Sequence, residues 1–287
     1  MHTHKFFTES LIKSSESKPA ASIIKAEIIQ STDIEFVLSH AEPGSLVILD
    51  IDDTIGRVPQ TIGLDAWFRF RLQQYSIEGH AQSTALLMTI EIYNQAQLAS
   101  TEMVFVDKSK NIATLINQLK EQGVTVIGLT ARNHVLTDKT LSLLDTLGVS
   151  FSQDVLKDGS FMLKDKLIEI KNGVIFSDGS DKGVCFEHVL TLGYFQRELS
   201  SFVSVDFVDD SERNCHAVRA AFERLNIAIS RVWHYPYAEL FLAFGATDQK
   251  RASIQEQHLL EHKTLLTDEE ADTIICARTS SPFEANR

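Results

Sequence analysis

One pattern constrains this chain more than any other: short continuous apolar runs that stop at acidic or hydroxyl residues, separated by stretches of helical period. Leu46-Val47-Ile48-Leu49 stops at Asp50-Ile51-Asp52-Asp53-Thr54, Val124–Leu129 stops at Thr130, and Val203–Val208 stops at Asp209-Asp210. An apolar run without polar alternation suits a strand buried on both faces of a parallel sheet. Between these runs, Ile112, Leu115, Ile116 and Leu119 mark an amphipathic helix with Gly123 placed to stop it. Leu141, Leu144 and Leu147 mark a second helix before Gly148, and Cys215, Val218, Phe222 and Leu225 mark another. Val184–Leu199 reads as a helix and Ile227–Trp233 as the last strand of the sheet. Strands alternating with helices predict an α/β fold with an open parallel sheet flanked by helices. Ligands of such sheets bind beyond the carboxyl ends of the strands, where the polar residues of this chain fall.

Several stretches depart from the alternation. Residues 57–106, with Trp67, Phe68, Phe70 and a helical run around Ala85–Tyr93, read as a mostly helical insertion, or cap, after the first of these strands; the plainer alternative is a crossover helix with a long loop. The expected division is a core of residues 1–56 and 107–264, the insertion 57–106, and a flexible tail 265–287 rich in Asp, Glu, Ser and Thr. At the start, a strand is expected near Ala26–Ile29, then a short helix capped by Ser31 or Thr32 and broken at Pro43-Gly44. Val155–Ile175 has room for a short hairpin, and Thr247–Leu260 reads as a helix.

Charge and cysteine usage narrow the function classes. The formal net charge of −12 repels phosphate backbones and argues against nucleic acid as a partner, while leaving room for a local cationic site. The three cysteines, Cys185, Cys215 and Cys276, lack metal-type spacing, which fits a reduced compartment and places the first two in helix cores. The N-terminus lacks the pattern of a Sec signal peptide, and no apolar stretch is long enough for a membrane span. A cytoplasmic protein is expected, or one exported by a C-terminal signal. Nothing in the sequence specifies an oligomeric state.

The strand-end residues form a chemical set. Two carboxylates, Asp50 and Asp52, at the end of a buried strand cost desolvation energy unless a cation is near. A carboxylate can attack phosphorus to form an aspartyl-phosphate, and a second carboxyl can protonate the leaving oxygen and later deprotonate water. Asp209-Asp210 alone reads equally well as a helix N-cap before Ser211. Beside Asp50 and Asp52 it completes a set of hard oxygen ligands suited to Mg²⁺. Thr130 could donate to a phosphoryl oxygen, and Lys182, after the polar loop Ser177–Asp181, could hold nucleophile and phosphate together. Each of these two residues alone reads as a turn hydroxyl or a surface lysine.

Taken in order, Asp50-Ile51-Asp52-Asp53-Thr54, Thr130, Lys182-Gly183 and Asp209-Asp210 resemble the four motifs of the haloacid dehalogenase superfamily, over roughly Leu46 to Trp233. The resemblance implies a Rossmann-like fold, with Asp50 as nucleophile and Asp52 as general acid and base whose carbonyl also ligates Mg²⁺. It further implies that Thr54 steadies the loop and that Thr130 and Lys182 bind the phosphoryl group. Asp210 would be a direct metal ligand and Asp209 its support. A carboxylate at position 52 separates the chain from the dehalogenases and from the P-type ATPase pattern, which implies a phosphatase or phosphotransferase. The sequence around Trp67, Lys182 and Asp209 also resembles a branch in intracellular pathogenic bacteria, some of whose members look like secreted effectors that dephosphorylate host proteins, including phosphotyrosine.

The expected function is therefore a Mg²⁺-dependent phosphomonoester hydrolase. A phosphoprotein substrate would suit an open cleft flanked by Trp67 and Arg132; Trp67 suits a packed core better than substrate contact, and Arg132 equally suits the surface or a salt bridge. A sugar phosphate or nucleotide would suit a closed pocket. A binding module that keeps the phosphate site without turnover is the alternative from another class.

Overall fold

The computed structural model describes residues 27–280. The expectations on the first 26 residues, the absent Sec signal among them, and on residues 281–287 lie outside the described residues.

Among the described residues ten strands form: β1 (Ile28–Gln30), β2 (Leu46–Leu49), β3 (Gly56–Arg57), β4 (Val104–Phe105), β5 (Thr125–Thr130), β6 (Gly159–Leu163), β7 (Lys166–Lys171), β8 (Val174–Phe176), β9 (Val205–Asp209) and β10 (Ser230–His234). Eight of them make one sheet in the order β1-β10-β9-β2-β5-β8-β7-β6, and β3 pairs with β4 alone. Every pairing from β1 to β8 is parallel, and β7 and β6 extend the sheet antiparallel. The Val155–Ile175 region thus supplies a hairpin, which β8 extends into a meander joined to the sheet. β2 lies between β5 and β9, so the chain leaves it in one direction and later returns on its other side. This is the switch point at which open sheets form a crevice.

The continuous apolar runs follow from burial on both faces. Val47 and Leu49 pack into one cluster with Ile34, Ile112, Ile116 and Leu144, while Leu46 and Ile48 pack into another with Phe186, Cys215, Val218 and Phe222. Successive side chains of a strand point to opposite faces, so a strand covered on both sides cannot alternate with polar residues. The first face is covered by α1 (Ile34–Leu38), α4 (Ile112–Glu121) and α5 (Thr137–Thr146), and the second by α6 (Lys182–Thr191) and α7 (Glu212–Arg224). The cap of α1 is Asp33, whose side chain accepts from the Glu35 and Phe36 N–H groups, rather than Ser31 or Thr32. α6 ends at Thr191, short of the expected Leu199, with Gly193 in the left-handed region just beyond it.

A third cluster lies apart from the sheet. Ile62, Trp67, Tyr75, Ala85, Ile92 and Ala96 join Ala252 and Leu259. The first six come from a 3₁₀ turn (Thr61–Gly63), α2 (Asp65–Ile77) and α3 (Gln82–Ala99), and the last two from α9 (Ala246–His262), which follows the short α8 (Tyr237–Phe241). The expected core boundary at residue 264 is therefore corrected: α9 packs with the insertion, not with the sheet. The fully buried Gln255 of α9 accepts from the Ile62 N–H at 3.1 Å and donates to Asp268 at 2.8 Å.

The expected flexible tail is corrected over its first part by α10 (Asp268–Ser280). The Glu270 N–H donates to Thr267 Oγ1 at 3.1 Å and the Thr267 N–H donates to the Glu270 carboxylate at 2.8 Å, a reciprocal capping box. Acidic residues in a first helical turn also oppose the positive end of the helix dipole. Asp268 accepts from the Thr61 N–H and hydroxyl, both at 2.9 Å, and Arg251 forks onto Asp272 at 2.9 and 2.8 Å. The acidic cluster that suggested a solvated tail caps and anchors a helix.

Candidate active site

Asp50 follows directly on β2, and its N–H still pairs with the Val208 carbonyl at 2.9 Å. The chain then turns back sharply. The N–H groups of Ile55 and Gly56 both donate to the Ile51 carbonyl at 3.0 Å, and Asp53 takes a left-handed conformation with φ of 54°. An aspartate tolerates that region better than most side chains. The fully buried Thr54 accepts from the Asp210 N–H at 3.1 Å, which ties the loop after β2 to the end of β9.

Lys182 opens α6, where the Asp181 side chain caps the helix by accepting from the Val184 N–H at 2.9 Å. Gly183 then allows α6 to lie against α7: a Cβ there would sit 2.2 Å from the Ala217 carbonyl oxygen. That close approach carries the Lys182 side chain inward, and its ammonium donates to Asp50 Oδ1 and Asp209 Oδ2, each at 2.6 Å. Lys182, Asp50 and Asp209 are all buried. Asp209 also accepts from the Ser211 N–H at 2.9 Å and from the Asn214 amide at 3.0 and 3.3 Å, so its two oxygens are fully engaged. Asp210 instead engages its backbone, donating to Thr54 and accepting from His234 Nε2 at 3.0 Å, and its carboxylate is uncommitted among the described residues.

Carboxylate oxygens of Asp50, Asp209 and Asp210 all lie within 4.8 Å of one another. Burial pushes the Asp50 carboxyl well above its ordinary range, with Asp209 and Asp52 adding to the shift and Lys182 opposing it. Burial, then Asp209 and Asp50, push Asp210 up in the same sense. Burial alone would lower Lys182, but the carboxylates of Asp209 and Asp50 outweigh it and hold the ammonium above its usual range. Two acids thus share one lysine, with the third carboxylate beside them. The set holds more carboxyl groups than its cation can neutralise, and burial leaves Asp50 and Asp209 little water to screen them.

Asp52 is more exposed, with a quarter of its side chain accessible, and is held by Arg132 through bonds of 2.8 and 2.7 Å. Thr130 ends β5, fully buried, and its hydroxyl oxygen accepts from the Arg132 N–H at 3.2 Å. The structure therefore brings Asp50, Lys182, Asp209 and Asp210 together, sets Asp52 beside them on an arginine mount, and leaves Thr130 at the end of the adjoining strand.

The structure decides between the alternatives open at two residues. Trp67 is buried in the helical layer and Arg132 is buried in a salt bridge with Asp52, so the packed-core reading of the first and the salt-bridge reading of the second hold. The indole shares its apolar cluster with Ala252 and Leu259 of α9, and the guanidinium forks onto the Asp52 carboxylate. Asn214 and Gln97 went unseen by the sequence reading. Asn214 lies one helical turn into α7 after Asp209-Asp210, a spacing that could have signalled it. Gln97 is a polar residue on the buried face of α3 that also carries Ala85, Thr89, Ile92 and Ala96.

A family model described as "Protein of unknown function (DUF2608)" matches residues 27–272. The chain belongs to that family. The match spans both the sheet and the helical layer, so the family's common unit includes α9 and the start of α10. No curated protein matches the chain. Among solved structures, one titled "Phospho-Aspartyl Intermediate Analogue of Phosphoserine phosphatase" aligns at 12% identity with a TM-score of 0.33, covering 68% of this chain and 94% of the other. A superposition this loose does not bear on chemistry.

Proposed function

We propose that this protein is a Mg²⁺-dependent phosphomonoester hydrolase of the haloacid dehalogenase type, working through an aspartyl-phosphate on Asp50. The observation that carries the reading is the bridge of Lys182 between Asp50 and Asp209 beside the uncommitted Asp210. A structural ion pair needs one carboxylate per ammonium; a third, half-buried acid at the mouth of the same space calls for a further cation.

The donor set fits a hard divalent ion. All its side-chain atoms are carboxylate oxygens, which suit Mg²⁺. Asp50 and Asp210 would hold it with the Asp52 carbonyl, and Asp209 would support them from its hydrogen-bonded position. Bound there, Mg²⁺ would screen the repulsion between the nucleophile and an incoming phosphate.

The protein's own groups supply the rest. Asp50 Oδ attacks phosphorus, the bond from phosphorus to the ester oxygen breaks, and Asp52 gives that oxygen a proton. Asp52 then takes a proton from water as the water oxygen attacks phosphorus, releasing inorganic phosphate and restoring the Asp50 carboxylate. Lys182 favours the ionised form of Asp50 against the effect of burial and holds it in place, and Thr130 is a donor to the phosphoryl oxygens.

The finer reading, a phosphotyrosyl protein as substrate and action in a host cell, comes from the sequence resemblance. Trp67 and Arg132 lend it nothing, since both are buried. Among the described residues no helix is long and apolar enough to cross a membrane.

The test is phosphate release from a panel of phosphotyrosyl peptides, sugar phosphates, nucleotides and an aryl phosphate, with Mg²⁺ and with chelator, for the wild type and for Asp50→Asn. Mg²⁺-dependent release that Asp50→Asn abolishes is the expected result, and the preferred substrate assigns the class. Turnover that survives in Asp50→Asn, or silence of the wild type across the panel, rules the reading out; the silent case favours the binding module.

A further inference from the structure

Asp52 is mounted through a chain of buried polar bonds that begins outside the sheet. The Arg132 guanidinium, with 1% of its side chain exposed, donates from Nε to Asp52 Oδ2 at 2.8 Å and from Nη2 to Asp52 Oδ1 at 2.7 Å. Nη2 also donates to Gln97 Oε1 at 2.9 Å, and Nη1 to Thr140 Oγ1 at 3.0 Å. Four donations are therefore matched out of the five N–H bonds a guanidinium carries. Gln97 and Thr140 are both fully buried.

Gln97 belongs to α3 and therefore to the helical layer. Its Nε2 donates to the Gly63 carbonyl at 2.8 Å, in the 3₁₀ turn that leads into α2. The amide orientation is fixed by its partners, since a guanidinium must be met by oxygen and a carbonyl by N–H. At Gly63 a Cβ would sit 2.1 Å from Val58 Cγ2, so the backbone there lies too close to its neighbour for a side chain. The bonds run without a gap from Gly63 to Gln97 to Arg132 to Asp52.

We propose that Arg132 is a positioning residue that fixes the Asp52 carboxylate for proton transfer, and that Gln97 makes that setting depend on how the helical layer sits on the sheet. The inference rests on the proposed function, because it concerns the acid of that reaction. A planar fork fixes the plane and both oxygens of a carboxylate, whereas a lysine would supply charge at one point. Arg132 can act as a mount because Thr140 holds Nη1 and Gln97 takes the second N–H of Nη2. A shift of α3 would loosen one of them, and Asp52 would be correctly oriented only with the layer seated.

A stabilising ion pair would be indifferent to what the substrate releases; a mount for the acid would not. The test measures kcat and KM with Mg²⁺ for full-length wild type, Arg132→Lys and Gln97→Met on aryl phosphates from dinitrophenyl to unsubstituted phenyl. A poor leaving group needs a proton in the transition state and an acidic phenol does not. We expect Arg132→Lys to lower kcat about 100-fold on phenyl phosphate and only a few-fold on dinitrophenyl phosphate, with KM unchanged. Gln97→Met should give the same leaving-group trend at about tenfold. An equal loss across the series in both variants, or a raised KM at constant kcat, overturns the proposal. Should Arg132→Lys lose its thermal transition, the slope of Gln97→Met decides alone. A wild type that hydrolyses no member of the series removes the function itself and the inference with it, whereas an active wild type with parallel slopes removes only the inference.

Discussion

The sheet edge and the helical layer both bury polar side chains, and they treat them in opposite ways. In the layer each buried polar group meets a partner of matching kind: Gln255 accepts from Ile62 and donates to Asp268, Gln97 accepts from Arg132 and donates to Gly63, and Thr89 donates to the Ala85 carbonyl. Polar groups settled in this way hold elements together and ask for nothing more. At the sheet edge Asp50 and Asp209 share a single lysine, and the neighbouring Asp210 carboxylate is uncommitted among the described residues. Like charges in a desolvated space raise the free energy of the folded state, and their persistence there points to a ligand that relieves them. The contrast separates a scaffold from a site without any appeal to family.

The largest expected break in that contrast comes from Lys182→Met. It leaves Asp50 and Asp209 buried without their shared cation, and removing one partner of a buried ion pair costs about 3–5 kcal/mol. Chemical denaturation in chelator should show a loss of that order, and a change within error would place the ammonium outside the energetics of the fold.

Metal addition gives the next effect. Mg²⁺ at about a hundred times its dissociation constant should stabilise the wild type by about 2.7 kcal/mol, since it binds the folded site and not the unfolded chain. Asp210→Asn should lose most of this gain, because its carboxylate has no other employment, and its melting temperature in chelator should match or exceed the wild type's as one member of the repelling set disappears. An unchanged Mg²⁺ response in Asp210→Asn would move the metal elsewhere.

The smallest effect belongs to the layer. Gln255→Leu strands the buried Ile62 N–H and leaves the part-buried Leu266 carbonyl and Asp268 to water, and one unsatisfied buried group costs about 1–3 kcal/mol. The Mg²⁺-induced rise in melting temperature should survive this change in full. A variant in which both fall together would mean that the two regions are not separable in the way their hydrogen bonds suggest.

The same contrast decides what could be read from the sequence. β2, β5 and β9 were legible because burial on both faces leaves a run of apolar residues, and the polar residues that end those runs mark the sheet edge. The strand-end residues and Lys182 could be ordered along the chain, yet their convergence depends on Gly183 letting α6 approach α7, which no local pattern announces. The layer was only half legible. Its helices in residues 57–106 showed as a break in the alternation, but their partners α9 and α10 lie far away in sequence and are joined to them by polar contacts such as Thr61 to Asp268 and Arg71 to Glu256. Long-range polar pairs leave no periodicity. The start of α10 was readable in principle, since Thr267-Asp268-Glu269-Glu270 carries the spacing of a capping box. Arg132 shows the opposite limit: nothing in its neighbourhood says that its partner is a carboxylate 80 residues upstream.

The central claim is that Asp50 takes the phosphoryl group, and acid quenching tests it most directly. The wild type would be mixed with an aryl phosphate and Mg²⁺, stopped in acid within a turnover, digested and mapped by mass spectrometry. The account predicts a phosphoryl adduct on the peptide carrying Asp50, cleaved by hydroxylamine as an acyl phosphate is, and absent from Asp50→Asn. An adduct on any other residue, or continuing turnover with Asp50 never modified, would contradict it.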